Sequence, residues 1–258
     1  MATPISTGPQ LCPVCEGTGW KMIASASGPP RATRCECHFA QRAADLQAAA
    51  RIPPRYQHCT LENFDVPEGA RELLLAHRQA TAYSQDYPGL VDRDRSGLLF
   101  YGGVGSGKTH LAVAITRRLL ERGIACKFVD HRALLKQIQA TFDPLNPATE
   151  ASVVEPLLEV EVLILDDLGV GRATEWALET LHYILNHRYS QQRATIITTN
   201  LEDTESRGHR LADAADSGAT SLAQAVGERL RSRLYEMCVF VALHGVDFRR
   251  STAAPVVR

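Results

Sequence analysis

From residue 97 onward, short apolar runs alternate with longer segments whose apolar residues recur at helical spacing. Continuous apolar runs of four to six residues are typical of strands that are buried on both faces. Alternation of such strands with helices predicts βαβ units, and therefore an α/β fold with a largely parallel sheet covered by helices. The five predicted strands read GLLFY, CKFVD, VLILDD, ATIITTN and CVFVAL.

Helical patterns fill the remainder of this region and extend upstream of it. The helix after GLLFY is predicted to end at Gly123, a residue type favoured just past a helix C-terminus. Further helices are predicted over residues 68–83 and 39–51, and the second is stopped by Pro53 and Pro54. We place the domain boundary there, with a small module at 1–54 and a larger domain at 55–258. Residues 203–225 are polar and rich in small residues, which predicts a loop or insertion.

Composition narrows the class of protein. The chain has 258 residues, of which 45% are hydrophobic and 22% are charged, and these fractions exclude intrinsic disorder. No run approaches the roughly 18 apolar residues of a membrane helix. Residues 1–10 lack the basic start and apolar core of a signal peptide. We therefore expect a cytoplasmic protein that does not contact membranes and whose seven cysteines are not paired in structural disulfides.

The net charge of −1 argues against a binder that holds nucleic acid by bulk charge alone. The charge is nevertheless unevenly distributed. Residues 1–60 and residues 226–258 each carry six basic and three acidic side chains, whereas the region between them carries 16 basic and 23 acidic ones. This segregation indicates separate sites, although a modest imbalance is also typical of an ordinary solvated surface.

A glycine-rich segment, GGVGSGKT at 102–109, fits the pattern G-x-x-x-x-G-K-[ST] between a predicted strand and a helix beginning at Lys108. In this context backbone N–H groups surround a polyphosphate, Lys108 reaches the β and γ phosphates, and the Thr109 hydroxyl binds Mg²⁺. The alternative is a glycine-rich turn with an incidental lysine. The residues expected to bind ATP here are Gly102, Gly103, Val104, Gly105, Ser106, Gly107, Lys108, Thr109 and His110.

The strand VLILDD ends in two acids, Asp166 and Asp167. Because parallel strands deliver their carboxyl ends to one edge of the sheet, both acids are expected beside the phosphate loop. Asp166 is predicted to hold Mg²⁺, and Asp167 to polarise the attacking water. Taken alone, an apolar run followed by two acids is also what a buried strand entering an acidic turn produces.

Four of the cysteines form two close pairs near the N-terminus: Cys12 and Cys15 in C-x2-C, and Cys35 and Cys37 in C-x-C. Two thiolate pairs separated by a loop suit tetrahedral Zn²⁺. His38 is an alternative to Cys37, and redox-active or free cysteines are the alternative to zinc. So small a module has few large apolar side chains, so zinc would supply much of its folding free energy. Cys59, Cys126 and Cys238 are predicted to be small buried hydrophobic residues.

Taken together, these motifs resemble the AAA+ ATPases of the DnaC-like helicase loaders and the related IstB-like helper ATPases of insertion sequences. The likeness covers residues 56–250, and an AAA+ core with a five-stranded parallel sheet is the fold it implies. The segments that carry it read GGVGSGKTHLAVAI, VLILDDLG, TIITTNL, GERLRSRL and GVDFR. The CPVCEGTGW segment also resembles a cysteine-glycine knuckle found in many zinc modules.

The resemblance implies further site residues. Asn200 matches the polar sensor near the γ-phosphate, Arg233 matches an arginine finger acting on a neighbouring subunit, and Arg229 lies one helical turn before it. Arg249 matches a late arginine that senses nucleotide. Without the resemblance, RLRSRL is typical of a solvated basic helix face. Asp167 stands where most AAA+ enzymes have Glu, which implies slow, switch-like hydrolysis. With nine residues after Arg249, we expect no C-terminal lid domain.

The resemblance also implies a partner. The leading hypothesis is a replicative-helicase loader in DNA replication, whose zinc module binds the helicase and whose ATPase domain forms a homo-oligomer on single-stranded DNA. Arg132, Lys136 and Phe142 are the residues expected to face DNA, although HRALLKQIQATF is equally a plain amphipathic helix. One alternative is a transposition helper that coats duplex DNA and recruits a transposase. Another is a nucleotide-binding adaptor that never hydrolyses ATP.

Overall fold

The computed structural model describes residues 12–25, 28–89, 95–169, 174–203, 221–245 and 247–248. Its strands are β1 (Trp20–Ser25), β2 (Gly28–Arg34), β3 (Gly97–Tyr101), β4 (Cys126–Asp130), β5 (Val162–Asp166), β6 (Ala194–Thr199) and β7 (Cys238–Ala242). Its α-helices are α1 (Glu36–Ala50), α2 (Arg71–Asp86), α3 (Lys108–Glu121), α4 (His131–Ala140), α5 (Glu150–Glu159), α6 (Glu175–Ser190), α7 (Leu222–Val226) and α8 (Glu228–Met237). A single 3₁₀ turn spans Pro54–Tyr56.

Five strands form one parallel sheet in the order β4-β5-β6-β3-β7. Every neighbouring pair runs parallel, with Leu98 opposite Ile196 and Cys126 opposite Val162. All five strands predicted from the apolar runs are present in this sheet, so the predicted α/β architecture is confirmed. Their carboxyl ends lie at one edge, where the strands meet the phosphate loop and the acidic residues.

Side chains alternate between the two faces of the sheet and form a separate apolar layer on each. On one face, Leu98 and Phe100 join α2 and α3, which contribute Leu73, Leu111 and Ile115. On the other face, Leu99 and Ile197 join α6 and α8, which contribute Leu181, Leu185, Leu230 and Leu234. Full burial of each such leucine contributes roughly 1.5–3 kcal/mol to stability. The two layers fix the helices on which the site depends.

The structure adds elements that the hydrophobic pattern did not predict. Helix α5 contains two adjacent valines and Pro156, so its intrinsic helix propensity is low. It begins with a reciprocal cap between Thr149 and Ser152, and at its C-terminus Arg188 donates to the carbonyls of Leu157 and Val160 at 2.7 and 2.9 Å. Tertiary contacts therefore stabilise α5, which the sequence pattern did not predict.

The N-terminal module contains a second unpredicted element, an antiparallel hairpin of β1 and β2 with Trp20 opposite Arg34. Glycine and prolines in β2 hide the alternation that marks a strand. Helix α1 follows the hairpin, and its last turn packs Leu46 and Ala50 against the apolar layer that contains α2 and α3. The domain boundary at residue 54 remains a prediction.

Three further expectations concern the insertion, membrane-spanning helices and the scattered cysteines. The predicted loop over 203–225 lies largely outside the described residues, which resume with Ser221 and the short helix α7. Across the described ranges, none of the helices has the length and apolar character needed to cross a bilayer. The three scattered cysteines, Cys59, Cys126 and Cys238, are buried, as predicted.

Candidate functional site

The phosphate loop connects the end of β3 to the first turn of α3. Its backbone has positive φ at Gly102 (132°), Gly105 (76°) and Gly107 (98°), which is the region that side chains with a Cβ rarely adopt. A Cβ at Gly105 would also lie 1.7 Å from Asp247 Oδ1. The glycines therefore allow both the turn and the close approach, and the loop exposes backbone N–H groups at a helix N-terminus, where anions bind favourably.

Lys108 is buried inside this loop. Its ammonium donates to the carbonyl oxygens of Gly102 at 2.9 Å and Gly103 at 2.5 Å. Ser106 is buried next to it, and its hydroxyl donates to the Gly103 carbonyl. A lysine at the centre of the loop can exchange these carbonyl partners for phosphate oxygens. Val104 lies at the exposed tip of the loop, where it can contribute only its backbone N–H.

Thr109 and Asp166 meet at the mouth of the loop, although 57 residues separate them. The Thr109 hydroxyl donates to Asp166 Oδ1 at 2.9 Å. Asp166 is 3% exposed, and burial raises the pKa of its carboxyl to about 6, although hydrogen bonds from Thr198 and Thr109 oppose that rise. The Thr109 hydroxyl and the Asp166 carboxylate are oxygen ligands of the kind that Mg²⁺ binds. A divalent cation would also offset the cost of burying the negative charge of Asp166, so this pair could hold Mg²⁺.

Asp167 follows with a left-handed backbone, φ 55°, which is uncommon for a residue with a side chain. Its N–H donates to Thr198 Oγ1 at 3.0 Å, and the Thr198 hydroxyl donates in turn to Asp166 Oδ1 at 2.6 Å. Asn200 Nδ2 donates to Asp167 Oδ1 at 3.3 Å. Thr198 of β6 therefore contacts both acids at the end of β5, Asp166 and Asp167. The sequence alone assigned Thr198 no role.

Asp130 is a second missed residue. It ends β4 in register with Asp166, and its carboxylate lies within 4.8 Å of those of Asp166 and Asp167. Its Oδ1 also accepts the Ala133 N–H at 2.7 Å and so caps α4. The sequence contains one signal for Asp130, because the strand CKFVD ends in an acid as the strand VLILDD does. Three close carboxylates strengthen the electrostatic case for a cation.

A cleft of about 410 Å³ opens in front of the phosphate loop. Lys108, Thr109, Asp167 and Asn200 line its floor. Its walls come from residues to which the sequence assigned no role: Arg55, Tyr56, His58, Asn63, Phe64 and Phe248. They belong to the segment before α2 and to the residues after β7, and tertiary packing alone brings them to the loop.

His110 connects the loop to one of these walls. Its Nε2 lies 2.9 Å from the Thr60 carbonyl oxygen, and its ring meets that of Phe64 edge-on at 5.4 Å. Burial lowers the pKa of His110, which favours the neutral imidazole. His110 thus lines the cleft and contacts the 58–64 segment.

The arginines that the resemblance singles out lie elsewhere. Arg233 on α8 is half-buried, donates to Asn186 Oδ1 and lies over the Tyr189 ring at 5.3 Å. Arg229 is exposed one turn earlier. Among the residues described, neither lines the cleft of its own subunit. Arg249 lies outside the described residues.

The N-terminal cysteines converge at the base of the hairpin. The sulfur atoms of Cys12, Cys15, Cys35 and Cys37 all lie within 4.8 Å of one another. The Cys12–Cys35 and Cys15–Cys37 sulfur distances are 3.8 and 3.3 Å, and a tetrahedron with Zn–S bonds of about 2.3 Å has sulfur atoms about 3.8 Å apart. The donor set and spacing fit zinc with Cys37 as the fourth sulfur, without recourse to His38.

The helix expected to face DNA also has a defined surface. Arg132 and Lys136 are exposed on α4, and Phe142, 57% exposed, follows its C-terminus. The Phe142 ring meets Trp176 edge-on at 5.7 Å. Leu134 and Ile138 on the opposite face of α4 are buried. The basic residues and the aromatic ring therefore lie away from the core.

Comparison with known proteins relates this geometry to a family. A family profile described as IstB-like ATP binding protein matches residues 41–251. The protein YqaM of Bacillus subtilis (strain 168) is 28% identical over 212 residues, which cover 80% of this chain and 60% of YqaM. The replicative helicase loader DnaC of Escherichia coli (strain K12) is 30% identical over 166 residues, covering 63% of this chain and 64% of DnaC.

A solved structure gives the same relationship at the level of the fold. A crystal structure of the DnaC helicase loader superposes with a TM-score of 0.60 at 28% identity, covering 74% of this chain and 99% of that one. The chain therefore spans about three fifths of the length of the first full-length relatives it matches.

Proposed function

The chain belongs to the family of IstB-like ATP-binding proteins, and from this premise we propose that it is a slow, switch-like ATPase that loads a replicative helicase. The observation that carries the ATPase proposal is the convergence of Lys108, Thr109 and Asp167 at one cleft, with Asp166 directly behind them and bound to the Thr109 hydroxyl. Similarity to the replicative helicase loader DnaC supports the choice of partner.

In this proposal the backbone of 102–109 and the Lys108 ammonium bind the phosphates of ATP. Thr109 and Asp166 hold Mg²⁺, which offsets the charge of the phosphates when bound. Asp167 accepts a proton from the attacking water, and Asn200, which contacts Asp167, orients that water. Asp167 is one methylene shorter than the glutamate of most AAA+ enzymes, which supports slow turnover.

Arg233 completes the site from a neighbouring subunit, with Arg229 beside it, and Arg249 contributes to nucleotide sensing. The support for action in trans is that Arg233 contacts α6 of its own subunit and is absent from the described lining of its own cleft. Cations placed on the γ-phosphate charge stabilise the transition state strongly. ATP would therefore control assembly of the homo-oligomer.

Residues 1–54 form the helicase-binding module, and Cys12, Cys15, Cys35 and Cys37 hold its zinc. The Cys15–Cys37 hydrogen bond lowers the pKa of Cys15 to about 6 and raises the pKa of Cys37, so the two sulfur atoms share a proton that zinc binding would displace. Four sulfur ligands leave no open position for catalysis, so the zinc is structural. Arg132, Lys136 and Phe142 contact single-stranded DNA by charge and stacking.

The test is retention of the cognate replicative helicase by purified protein, with and without ATP, together with release of phosphate. We expect retention in at least one nucleotide state, and its absence in every state would reject the loader. Retention of a transposase encoded nearby, with binding to duplex DNA, would favour the transposition helper instead.

Asp167→Ala separates hydrolysis from simple binding. We expect the variant to bind ATP and to lose turnover. If wild-type protein releases no phosphate and the variant retains full helicase binding and release, the non-hydrolysing adaptor is correct.

A further inference from the structure

A buried ion pair joins Asp203, which lies just after β6, to Arg231 on α8, the helix that also carries Arg229 and Arg233. Asp203, 2% exposed, accepts from Arg231 Nε at 2.9 Å and from Arg231 Nη2 at 2.7 Å, both through Oδ1. Its other oxygen accepts from the Tyr235 hydroxyl. Arg231 is 6% exposed. We call Asp203, Arg231 and Tyr235 the clamp.

The clamp connects the segment that follows Asn200 to helix α8. Asp203 lies three residues after Asn200, on the segment that leaves β6. Arg231 and Tyr235 lie on α8, one turn apart, and so face the same side of that helix. At about 100° per residue, Arg229 and Arg233 lie on roughly the opposite side of α8.

The clamp opposes rotation of α8 about its own axis, a motion that apolar packing alone restricts only weakly. Leu230 and Leu234 bury one stripe of α8 against the sheet, and such contacts are non-directional. The hydrogen bonds to Asp203 are directional, and Tyr235 also stacks on Phe240 with ring centroids 4.1 Å apart. Rotation of α8 about its axis would break these contacts, so the clamp fixes the direction in which Arg229 and Arg233 point.

We propose that Asp203 is a positioning residue for Arg233: it orients α8 so that Arg233 reaches the nucleotide of the neighbouring subunit. This inference rests on the proposed function, in which Arg233 acts in trans. The side chain of Asp203 is bound to α8 and touches no group of its own cleft floor among the contacts described. Its loss should therefore damage the arginine that a subunit donates and spare the site that the same subunit offers.

Mixed oligomers test this asymmetry. An Asp167→Asn subunit donates Arg233 but does not hydrolyse ATP, and an Arg233→Ala subunit accepts an arginine and has an intact phosphate loop. We expect an equimolar mixture to recover phosphate release that neither variant shows alone. Adding Asp203→Asn to the donor should reduce the recovered rate about tenfold or more, since a transition-state arginine contributes at least that much. Adding it to the acceptor should change the rate little.

Two matched variants keep the test informative. Glu228→Gln in the donor removes the exposed carboxylate that lies 3.5 Å from Arg231 and should leave recovery unchanged. Tyr235→Phe removes one hydroxyl, retains the ring on Phe240 and should reduce recovery severalfold even if Asp203→Asn folds poorly. Thermal unfolding of each variant reports its folding.

Three results would overturn the inference. Full recovery with both the Asp203→Asn and Tyr235→Phe donors would show that the clamp is not needed. Equal loss in donor and acceptor would show a merely structural role. No recovery with the unmodified donor would reject action of Arg233 in trans, whereas wild-type phosphate release and helicase retention test the proposed function separately.

Discussion

Among the residues of the site, Asp166 is a carboxylate whose burial is unfavourable in the absence of a cation. Folding raises the pKa of its carboxyl from 3.8 to about 6, first through burial and then through the nearby carboxylates of Asp167 and Asp130. The folded protein thus binds this proton more tightly than the unfolded chain. The contribution of Asp166 to the free energy of unfolding therefore falls as pH rises from about 4 to 6 and is unfavourable at pH 7.

Asp166→Asn removes this cost, and its amide oxygen can still accept from Thr109 and Thr198. We expect the free energy of unfolding of the nucleotide-free protein at pH 7 to rise by about 1–3 kcal/mol. The increase in Tm that Mg²⁺ and ATP give the wild type should be largely lost. Denaturant unfolding and thermal scans measure both, and a variant that keeps the full ligand-dependent increase would contradict Asp166 as the magnesium ligand.

Thr198 is the residue through which β6 holds both acids. In Thr198→Val the shape is conserved, but the Asp167 N–H loses its acceptor and Asp166 loses a donor. We expect kcat for ATP hydrolysis to fall about 10- to 100-fold, because misplacement of the catalytic groups is costly. Thr198→Ser should restore most of the rate, and Thr116→Val, which removes a buried hydroxyl within α3, should leave kcat unchanged. Equal rates for Thr198→Val and wild type would contradict the role of Thr198.

Among the secondary-structure elements, α5 and β6 are linked by the side chain of Arg188. This arginine on α6 is 0% exposed, and its guanidinium donates to Leu157, Val160 and Ala194 carbonyls and to the Thr195 hydroxyl. Burial lowers its pKa to about 9, so it remains charged at pH 7. The α5 carbonyls have no partner within their own helix, and Arg188 satisfies them.

We expect Arg188→Met to lower the free energy of unfolding by about 3–5 kcal/mol, because several buried carbonyls lose their donor at once. The matched variant Arg193→Met removes a more exposed arginine that pairs with Glu159 and should cost about 1 kcal/mol or less. Urea unfolding compares the two. Similar losses would show that the carbonyls find other donors.

Across the molecule as a whole, a parallel-sheet core is combined with an N-terminal cysteine-containing hairpin that buries little apolar surface. Val14, Trp20, Met22 and Ile23 of that module remain substantially exposed. A two-stranded hairpin is marginal by itself, so the four cysteine sulfurs would supply its stability through the metal.

Replacing Cys12 and Cys15 together by serine should remove about one equivalent of zinc per chain, measured by metal analysis. Limited proteolysis should then cut preferentially within residues 12–38, while ATP binding by the core persists because the core has its own apolar layers. Unchanged metal content would reject the site, and loss of ATP binding would contradict the independence of the two parts.

The chemistry carried by local motifs could be predicted from the sequence because each motif is contiguous. The phosphate loop needs glycines and Lys108 within eight residues, and the acids Asp166 and Asp167 end an apolar strand whose partners are also apolar. Five buried parallel strands follow from the same pattern, since a strand covered on both faces is apolar throughout. The cysteine spacing likewise predicted a group of four that the fold brings together.

Tertiary structure decided what depends on residues distant in the chain. The register of β4 against β5 brings Asp130 to the acids, β6 supplies the Thr198 hydroxyl, and the 55–65 segment lines the cleft. No local pattern in the sequence predicted these contacts. The hairpin and α5 likewise form against their local propensity. The physical reason is that the hydrophobic period of a segment shows only whether each position faces the core. Which residues of different segments come into contact depends on strand register, helix capping and buried hydrogen bonds, and these form only in the folded chain. Arg233 illustrates the difference: its residue type is visible in the sequence, whereas its contacts with Asn186 and Tyr189 depend on how α6 packs against α8.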